Sequence, residues 1–272
     1  MYVAVDIGGT KTLIAVFDTS GRILERIKFP TPSQYGPFKA ELAAQAQHLT
    51  HKQFTYGAIG IRGNINREAG LSLYDDVLRW GEVPVRDDCA AIFGCKFLLE
   101  NDSKAAGFAE ALEAGPDFHK VLYITISTGI GSAFVVNGRL DPDTLNSEIG
   151  KSLYEHKGTV QQREDFASGK AIVARYGLRA SEIDDHETWK EISEDIAIGI
   201  INASATYTPD LIIIGGGVGT HFDKFKQTLD EAIQEMKPEE ITVPEIRRAA
   251  HPEEAVILGC YHLAKNTHEK AT

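Results

Sequence analysis

A strand, a glycine-containing turn and a return strand occur twice in this chain, and that repeat restricts its architecture more than any other feature. The first copy begins at Tyr2 and passes through Gly8-Gly9, and the second begins at Val121 and passes through Gly129-Ile130-Gly131. Each is followed by a Gly-Arg turn, at Gly21-Arg22 and at Gly138-Arg139. A unit met twice in this way points to two halves of related topology. Val3 and Val5, with β-branched or apolar neighbours, suit a strand buried on both faces. Gly8 and Gly9 are expected to reverse the chain with positive φ and to leave N–H groups open to an anion. Asp6 at the mouth of the turn could hold a divalent cation, and Thr10 and Lys11 add a hydroxyl and a charge. A plain hairpin with a solvated lysine is the competing reading of the same ten residues.

Strands and helices alternate through the rest of the chain, which argues for an α/β fold. One apolar strand, 56–61, runs into Arg62-Gly63-Asn64, and another, 97–99, runs into Glu100-Asn101-Asp102. Ser103 fits the N-cap of an Ala-rich helix over 104–113. Helices are expected over 38–51, 170–176, 189–207 and 222–236, and over 255–264 around Gly259. The apolar run 211–214 reads as a buried strand that ends on Gly215-Gly216-Gly217, and 241–243 as a further short strand.

The 272 residues suffice for one large domain or two of moderate size, with 43% apolar and 25% charged residues. A net charge of −11 argues against general nucleic-acid or anionic-membrane binding. Cys89, Cys95 and Cys260 are odd in number and form no C-x-x-C pair, so neither a disulfide framework nor a cysteine zinc site is expected. The chain starts directly on a strand pattern, and no apolar run approaches the roughly 18 residues of a membrane span. A soluble, cytoplasmic protein is the expectation.

Glycine turns follow strands at Gly8-Gly9, at Gly129-x-Gly131 and at Gly215-Gly216-Gly217. There is no G-x-x-x-x-G-K-[ST] sequence, since Ser168-Gly169-Lys170 is followed by Ala171. No frame of the third turn supplies the three glycines of a Rossmann fingerprint. What remains is a pair of hairpin tips suited to phosphates and a third turn where a nucleoside could lie, against the plainer reading of three unrelated turns. Asp102, where a strand gives way to a helix, could accept a proton from a hydroxyl, or Asp102 or Ser103 could simply cap that helix. Asn101 beside it can orient a polyol. Taken singly, Glu148 and Glu164 read as solvated charges, His156 as a surface residue, and Trp80 and Trp189 as packing.

Six signatures in order make the chain resemble the ROK family of bacterial sugar kinases. They are Asp6-Ile-Gly-Gly-Thr-Lys11, Glu100-Asn-Asp-Ser103, Ser127-Thr-Gly-Ile-Gly131, Glu148-Ile-Gly150, Glu164-x-x-Ala-Ser-Gly169 and Gly215-Gly-Gly-Val218. The resemblance implies two RNase H-like, actin-like ATPase lobes around a central cleft. The expected boundaries are 1–103, 104–254 and a final helix, 255–272, that returns to the first lobe. It implies that Asp6 lies near Mg²⁺, that Gly8, Gly9, Thr10 and Lys11, with Thr128, Gly129 and Gly131, hold phosphates, and that Gly215, Gly216 and Gly217 face the nucleoside of ATP. Asp102 would be the base. Asn101, Glu148 and Glu164 would bond the hydroxyls of a hexose, with Gly63, Asn64 and their loop closing the pocket.

Two departures from the family pattern bear on the substrate. Lys151 stands where the family usually has a zinc-binding His, and the cysteine segment that follows in other members is missing, so no zinc is expected. Lys151 remains in reach of the sugar by this resemblance but cannot serve as a neutral acceptor as a His can. Arg62 occupies a place where Pro is common. The expected activity is transfer of the ATP γ-phosphoryl to a hexose, at the 6-hydroxyl of glucose or a relative. Polyphosphate is the alternative donor, since the second glycine loop resembles that of polyphosphate-dependent members. A sugar-responsive repressor is disfavoured because only Met1 to Val5 precede Asp6, and a non-catalytic sugar-binding protein because both carboxylates and both loops are intact. A homodimer is compatible with the sequence.

Overall fold

Alternate residues of the first strand, β1 (Tyr2–Ile7), face opposite sides of a sheet, and both sides are covered. In the computed structural model, which describes residues 1–271, the first of two units comprises Met1–Ala109 with the stretch from Glu254 onward. It contains β2 (Lys11–Phe17), β3 (Ile23–Pro30), α1 (Tyr35–His48), β4 (Tyr56–Ile61), the short β5 (Ile65–Asn66) and β6 (Leu71–Ser72), α2 (Val85–Phe93), β7 (Phe97–Asn101) and the start of α3 (Asp102–Ala114). The sheet order is β3-β2-β1-β4-β7, with β1 to β3 antiparallel and β4 and β7 parallel to β1. Val3, Val5, Ile7, Ile14 and Ile59 share a core with Phe38 and Leu42 of α1 and Cys89 and Phe93 of α2. The opposite face carries Ala4, Ala15 and Ala58 and meets the C-terminal helix, Ala255–Ala271, through Ile257, Cys260 and Tyr261. Small residues there let the helix approach closely: a Cβ on Gly60 would lie 2.3 Å from Val256 Cγ1, and one on Gly259 would lie 1.8 Å from the Ala105 carbonyl oxygen.

The second unit, Glu110–Glu253, repeats the strand order. It holds β8 (Lys120–Ile126), β9 (Ile130–Val136), β10 (Arg139–Leu140), the hairpin of β11 (Leu153–His156) and β12 (Thr159–Gln162), α4 (Arg163–Ala167), α5 (Gly169–Tyr176), α6 (His186–Tyr207), β13 (Leu211–Gly215), the single turn α7 (Gly216–Gly219), α8 (Phe222–Met236) and β14 (Glu245–Arg248). Its sheet runs β10-β9-β8-β13-β14, again with an antiparallel hairpin beside parallel strands. Leu122, Ile124, Ile212 and Ile214 pack against Ile196, Ile200, Phe225 and Leu229. The expected α/β fold of two RNase H-like lobes therefore holds, and its basis is the repeated strand–turn–strand unit. No helix of the described residues is long and apolar enough to cross a membrane.

Several local expectations are corrected. The short strand expected at 241–243 is not one; the ladder with β13 starts at Glu245, after Pro244, which has no N–H to donate. Ile241 and Val243 are apolar because they pack on the core. The last helix runs past the apolar stretch 255–264 to Ala271, in keeping with the wider bounds 255–272, of which residue 272 lies outside the described residues. His156 is buried, not at the surface: its ring stacks on Phe166 at 4.2 Å and its Nε2 pairs with Asp195 Oδ1 at 2.8 Å, while Arg175 Nη1 donates to Asp195 Oδ2 at 2.6 Å. This cluster ties the β11–β12 hairpin to α5 and α6. Trp189 stacks on Phe225 and Trp80 lies against Phe38, both as packing residues.

Candidate functional site

In the first unit, β1 and β7 bring two carboxylates to the same end of the sheet. Asp6 pairs in register with Gly60 on β4, and Gly60 with Glu100 on β7, so the three share one face. Gly60 between them admits the Val256 side chain of the C-terminal helix. Asp102 follows as the first residue of α3. The cap of that helix is Asn101, not Ser103: its Oδ1 accepts from the N–H of Ser103 at 2.9 Å and of Lys104 at 3.3 Å. Asn101 Nδ2 donates to the Gly63 carbonyl at 3.2 Å, so this side chain already joins β7 to the loop after β4. Glu100 accepts the Asn101 N–H at 2.7 Å and is clamped by the Arg67 guanidinium, with Nε at 2.9 Å.

Asp6 and Asp102 are both shifted towards protonation. Burial, reinforced by the Asp102 charge and opposed by Lys28, pushes Asp6 up to about 7. Burial also raises Asp102, against the Ser103 N–H and the Arg62 guanidinium, with Asp75 adding to the rise. A carboxylate lifted in this way is a stronger proton acceptor than one in water. Asp6 receives no side-chain hydrogen bond among the described residues. A desolvated carboxylate facing a like charge fits a divalent cation, because Mg²⁺ binds through one or two carboxylates and completes its shell with water and phosphate oxygens. No cluster of three or more His, Cys, Asp or Glu capable of caging a metal exists among the described residues.

The first glycine turn differs from expectation in its mechanics. Neither Gly8 nor Gly9 has positive φ, and the Gly8 N–H is used within the turn, donating to the Lys11 carbonyl at 3.0 Å. Glycine is needed instead for close approach: a Cβ on Gly9 would lie 2.6 Å from Val77 Cγ1 and 3.3 Å from Arg62 Nη1. Thr10 and Lys11 are exposed. Gly63 does have positive φ, and a Cβ there would lie 2.7 Å from both Asp75 Cβ and the Tyr74 carbonyl oxygen. The Asn64 N–H donates to that same carbonyl at 2.9 Å. Asp75 and Arg62 thus belong to this cluster, although the sequence marked Arg62 only as a departure and Asp75 not at all. The signal for Asp75 was its position ahead of Val77 and Leu78, whose N–H groups it accepts at 2.9 and 2.6 Å as an Asx turn does.

In the second unit, the motif glycines crowd the turn between β8 and β9. A Cβ on Gly150 would meet the Ile130 carbonyl at 2.1 Å, one on Gly169 the Ser127 carbonyl at 2.7 Å, and one on Gly216 the Ile126 carbonyl at 2.6 Å. A Cβ on Gly215 would lie 2.3 Å from the Tyr123 hydroxyl. Of the third glycine group only Gly217 faces open space. Glu164 lies in α4, not in a loop; its Oε2 accepts the Ile130 N–H at 3.3 Å and its Oε1 pairs with Lys151. Glu148 and Thr128 are exposed, and Gly131 sits within β9 opposite Thr125.

A profile of the ROK family matches residues 2–267. The chain belongs to the ROK family. Among the relatives of this ROK protein, a fructokinase of Streptococcus mutans is 27% identical over 240 residues, covering 80% of each chain. An N-acetylmannosamine kinase of Salmonella typhimurium is 28% identical over 287 positions, covering 96% of this chain and 97% of the relative. The fold matches that of a ROK family glucokinase from Streptomyces griseus in complex with glucose and AMPPNP, with a TM-score of 0.81 at 22% identity, over 97% of this ROK chain and 99% of that one.

Proposed function

We propose that this chain is a sugar kinase that transfers the γ-phosphoryl group of ATP to a hexose hydroxyl, the 6-hydroxyl of glucose or a close relative. The observation that carries the reading is the placement of two half-buried carboxylates beside the first glycine turn: Asp6 on β1 just ahead of it and Asp102 at the start of α3, each pushed towards protonation. In this reading the hydroxyl oxygen attacks the γ-phosphorus, its proton passes to Asp102, and the bond from phosphorus to the bridging oxygen breaks as ADP leaves. Asp6 would hold Mg²⁺, which when bound supplies positive charge against the phosphate oxygens. The turn residues Gly8, Gly9, Thr10 and Lys11, with Thr128, Gly129 and Gly131, are assigned to the phosphates. Gly215, Gly216 and Gly217 are assigned to the nucleoside of ATP.

For the sugar, the reading takes Asn101 through its remaining amide proton, Glu148, Glu164 and Lys151, with Gly63 and Asn64 shaping the wall. Lys151 and Glu164 form an ion pair, so a hydroxyl binding there meets a partly neutralised carboxylate and a cation together. That pairing favours an acceptor able both to donate and to accept, as a sugar diol does. A coupled ADP-release assay across hexoses and N-acetylhexosamines tests the assignment, with polyphosphate as the second donor. Turnover with no sugar under either donor refutes it, and faster turnover with polyphosphate replaces ATP as the donor.

A further inference from the structure

Arg62 brings a guanidinium to the first glycine turn and is held in a fixed position there. Its Nε donates to Asp75 Oδ2 at 2.8 Å, and its Nη2 lies 3.5 Å from Asp76 Oδ1. Asp75 is itself buried, and its other oxygen is fixed by two backbone N–H groups. The remaining nitrogen, Nη1, makes no hydrogen bond among the described residues. It is the atom that lies 3.3 Å from the place a Cβ would take on Gly9. A guanidinium braced on one edge with a free donor on the other is suited to an oxyanion, because its planar fork loses little freedom on binding.

We propose that Arg62 is a further catalytic residue, whose Nη1 donates to an oxygen of the transferring phosphoryl group at the first glycine turn. The inference rests on the kinase reading above and adds to it a specific transition-state contact. The transfer itself is as already balanced: the hydroxyl oxygen bonds to phosphorus, the bridging oxygen departs with ADP, and Asp102 takes the proton. Arg62 is not consumed. It offsets the negative charge spread over the equatorial oxygens, which is largest in the transition state. The guanidinium also draws Asp102 towards its ionised form, the form that can accept a proton. Lys11 in the same turn is exposed and lacks such bracing, so it answers to the charge of a phosphate without fixing its orientation.

Arg62→Ala, Arg62→Lys and Asp75→Asn test the assignment; the last keeps the oxygen that accepts the two N–H groups while removing the charge that braces Arg62. Arg62→Ala is expected to lower kcat by roughly 10²–10³ while sugar KM changes by less than about threefold. Dilute guanidinium chloride is expected to restore a measurable part of that loss, and Arg62→Lys to fall between parent and Ala. A kcat within about threefold of the parent, a loss confined to sugar KM, or no recovery with guanidinium overturns the proposal. If Arg62→Ala does not fold, the same kcat and KM reading is taken on Arg62→Lys and Asp75→Asn. If the parent phosphorylates no sugar, the kinase reading fails by itself, and calorimetry with pyrophosphate decides Arg62 separately. An affinity loss of about tenfold or more in Arg62→Ala then supports an anion contact, and equal affinity overturns it.

Discussion

Glu164 stands directly over Gly129: its Oε2 accepts the Ile130 N–H at 3.3 Å and lies 2.7 Å from where a Cβ on Gly129 would be. The glycine is thus fitted to a carboxylate that Lys151 holds from its other side. Gly129→Ala is expected to push Glu164 aside, because the atom it meets is the end of a flexible side chain and not backbone. Stability should change by less than about 1 kcal/mol, since the displaced ion pair is partly exposed. Sugar KM should rise about tenfold, read in the coupled assay beside a thermal melt. An unchanged KM would remove Glu164 from the sugar site.

Asp102→Asn isolates proton acceptance from shape. The amide keeps the volume and an oxygen for the Ser103 N–H, but it cannot take a proton from a hydroxyl. Turnover is expected to fall by about 10²–10⁴. The melting temperature should stay level or rise, because the replaced carboxylate is disfavoured by burial. Near-normal turnover in a folded Asp102→Asn sample would sink its assignment as the base.

Gly259→Ala gives a test in which propensity and packing predict opposite signs. In an exposed helix, alanine for glycine stabilises by about 1 kcal/mol. Here the added methyl would lie 1.8 Å from the Ala105 carbonyl, a backbone atom that cannot move aside without shifting α3 against the C-terminal helix. A loss of about 2–3 kcal/mol is expected, measured by urea denaturation. A gain in stability would mean that the two helices do not approach as described.

Glu25 sets an acid limit on stability. Its partial burial works to raise the carboxyl, but the N–H groups of Thr50 and His51 and the His51 ring outweigh it and lower the value to about 2. A carboxyl depressed in the fold stabilises fully above its ordinary value and loses that contribution as pH falls through the folded one. Between pH about 4.5 and 2, Glu25→Gln should therefore lose less stability than the parent, the difference reaching about 1–2 kcal/mol after screening. Parallel melts of the two proteins over that range measure it, and coincident curves would show that Glu25 carries no such linkage.

The sequence by itself determined the repeated strand–turn–strand unit, the α/β alternation and the carboxylates at Asp6 and Asp102. These features are local: β-branched periodicity, glycine punctuation and a charged residue at a strand end depend on neighbours along the chain. The bounds of Phe222–Met236 were legible for the same reason, since an amphipathic helix carries its period in its own residues. Only the tertiary structure decided what the glycines are for. Gly150, Gly169 and Gly216 admit the backbone of Ser127 to Ile130 and of Ile126, and Gly9 admits Val77 and Arg62. In a sequence, a glycine that yields to a ligand looks the same as one that yields to the chain itself. His156 and Arg62 were misjudged or undervalued for a related reason. Their partners, Asp195 and Asp75, lie 39 and 13 residues away, where no local pattern couples them. Such pairs become visible only once the core has brought distant segments together, because burial, and not spacing, gives a charge its role.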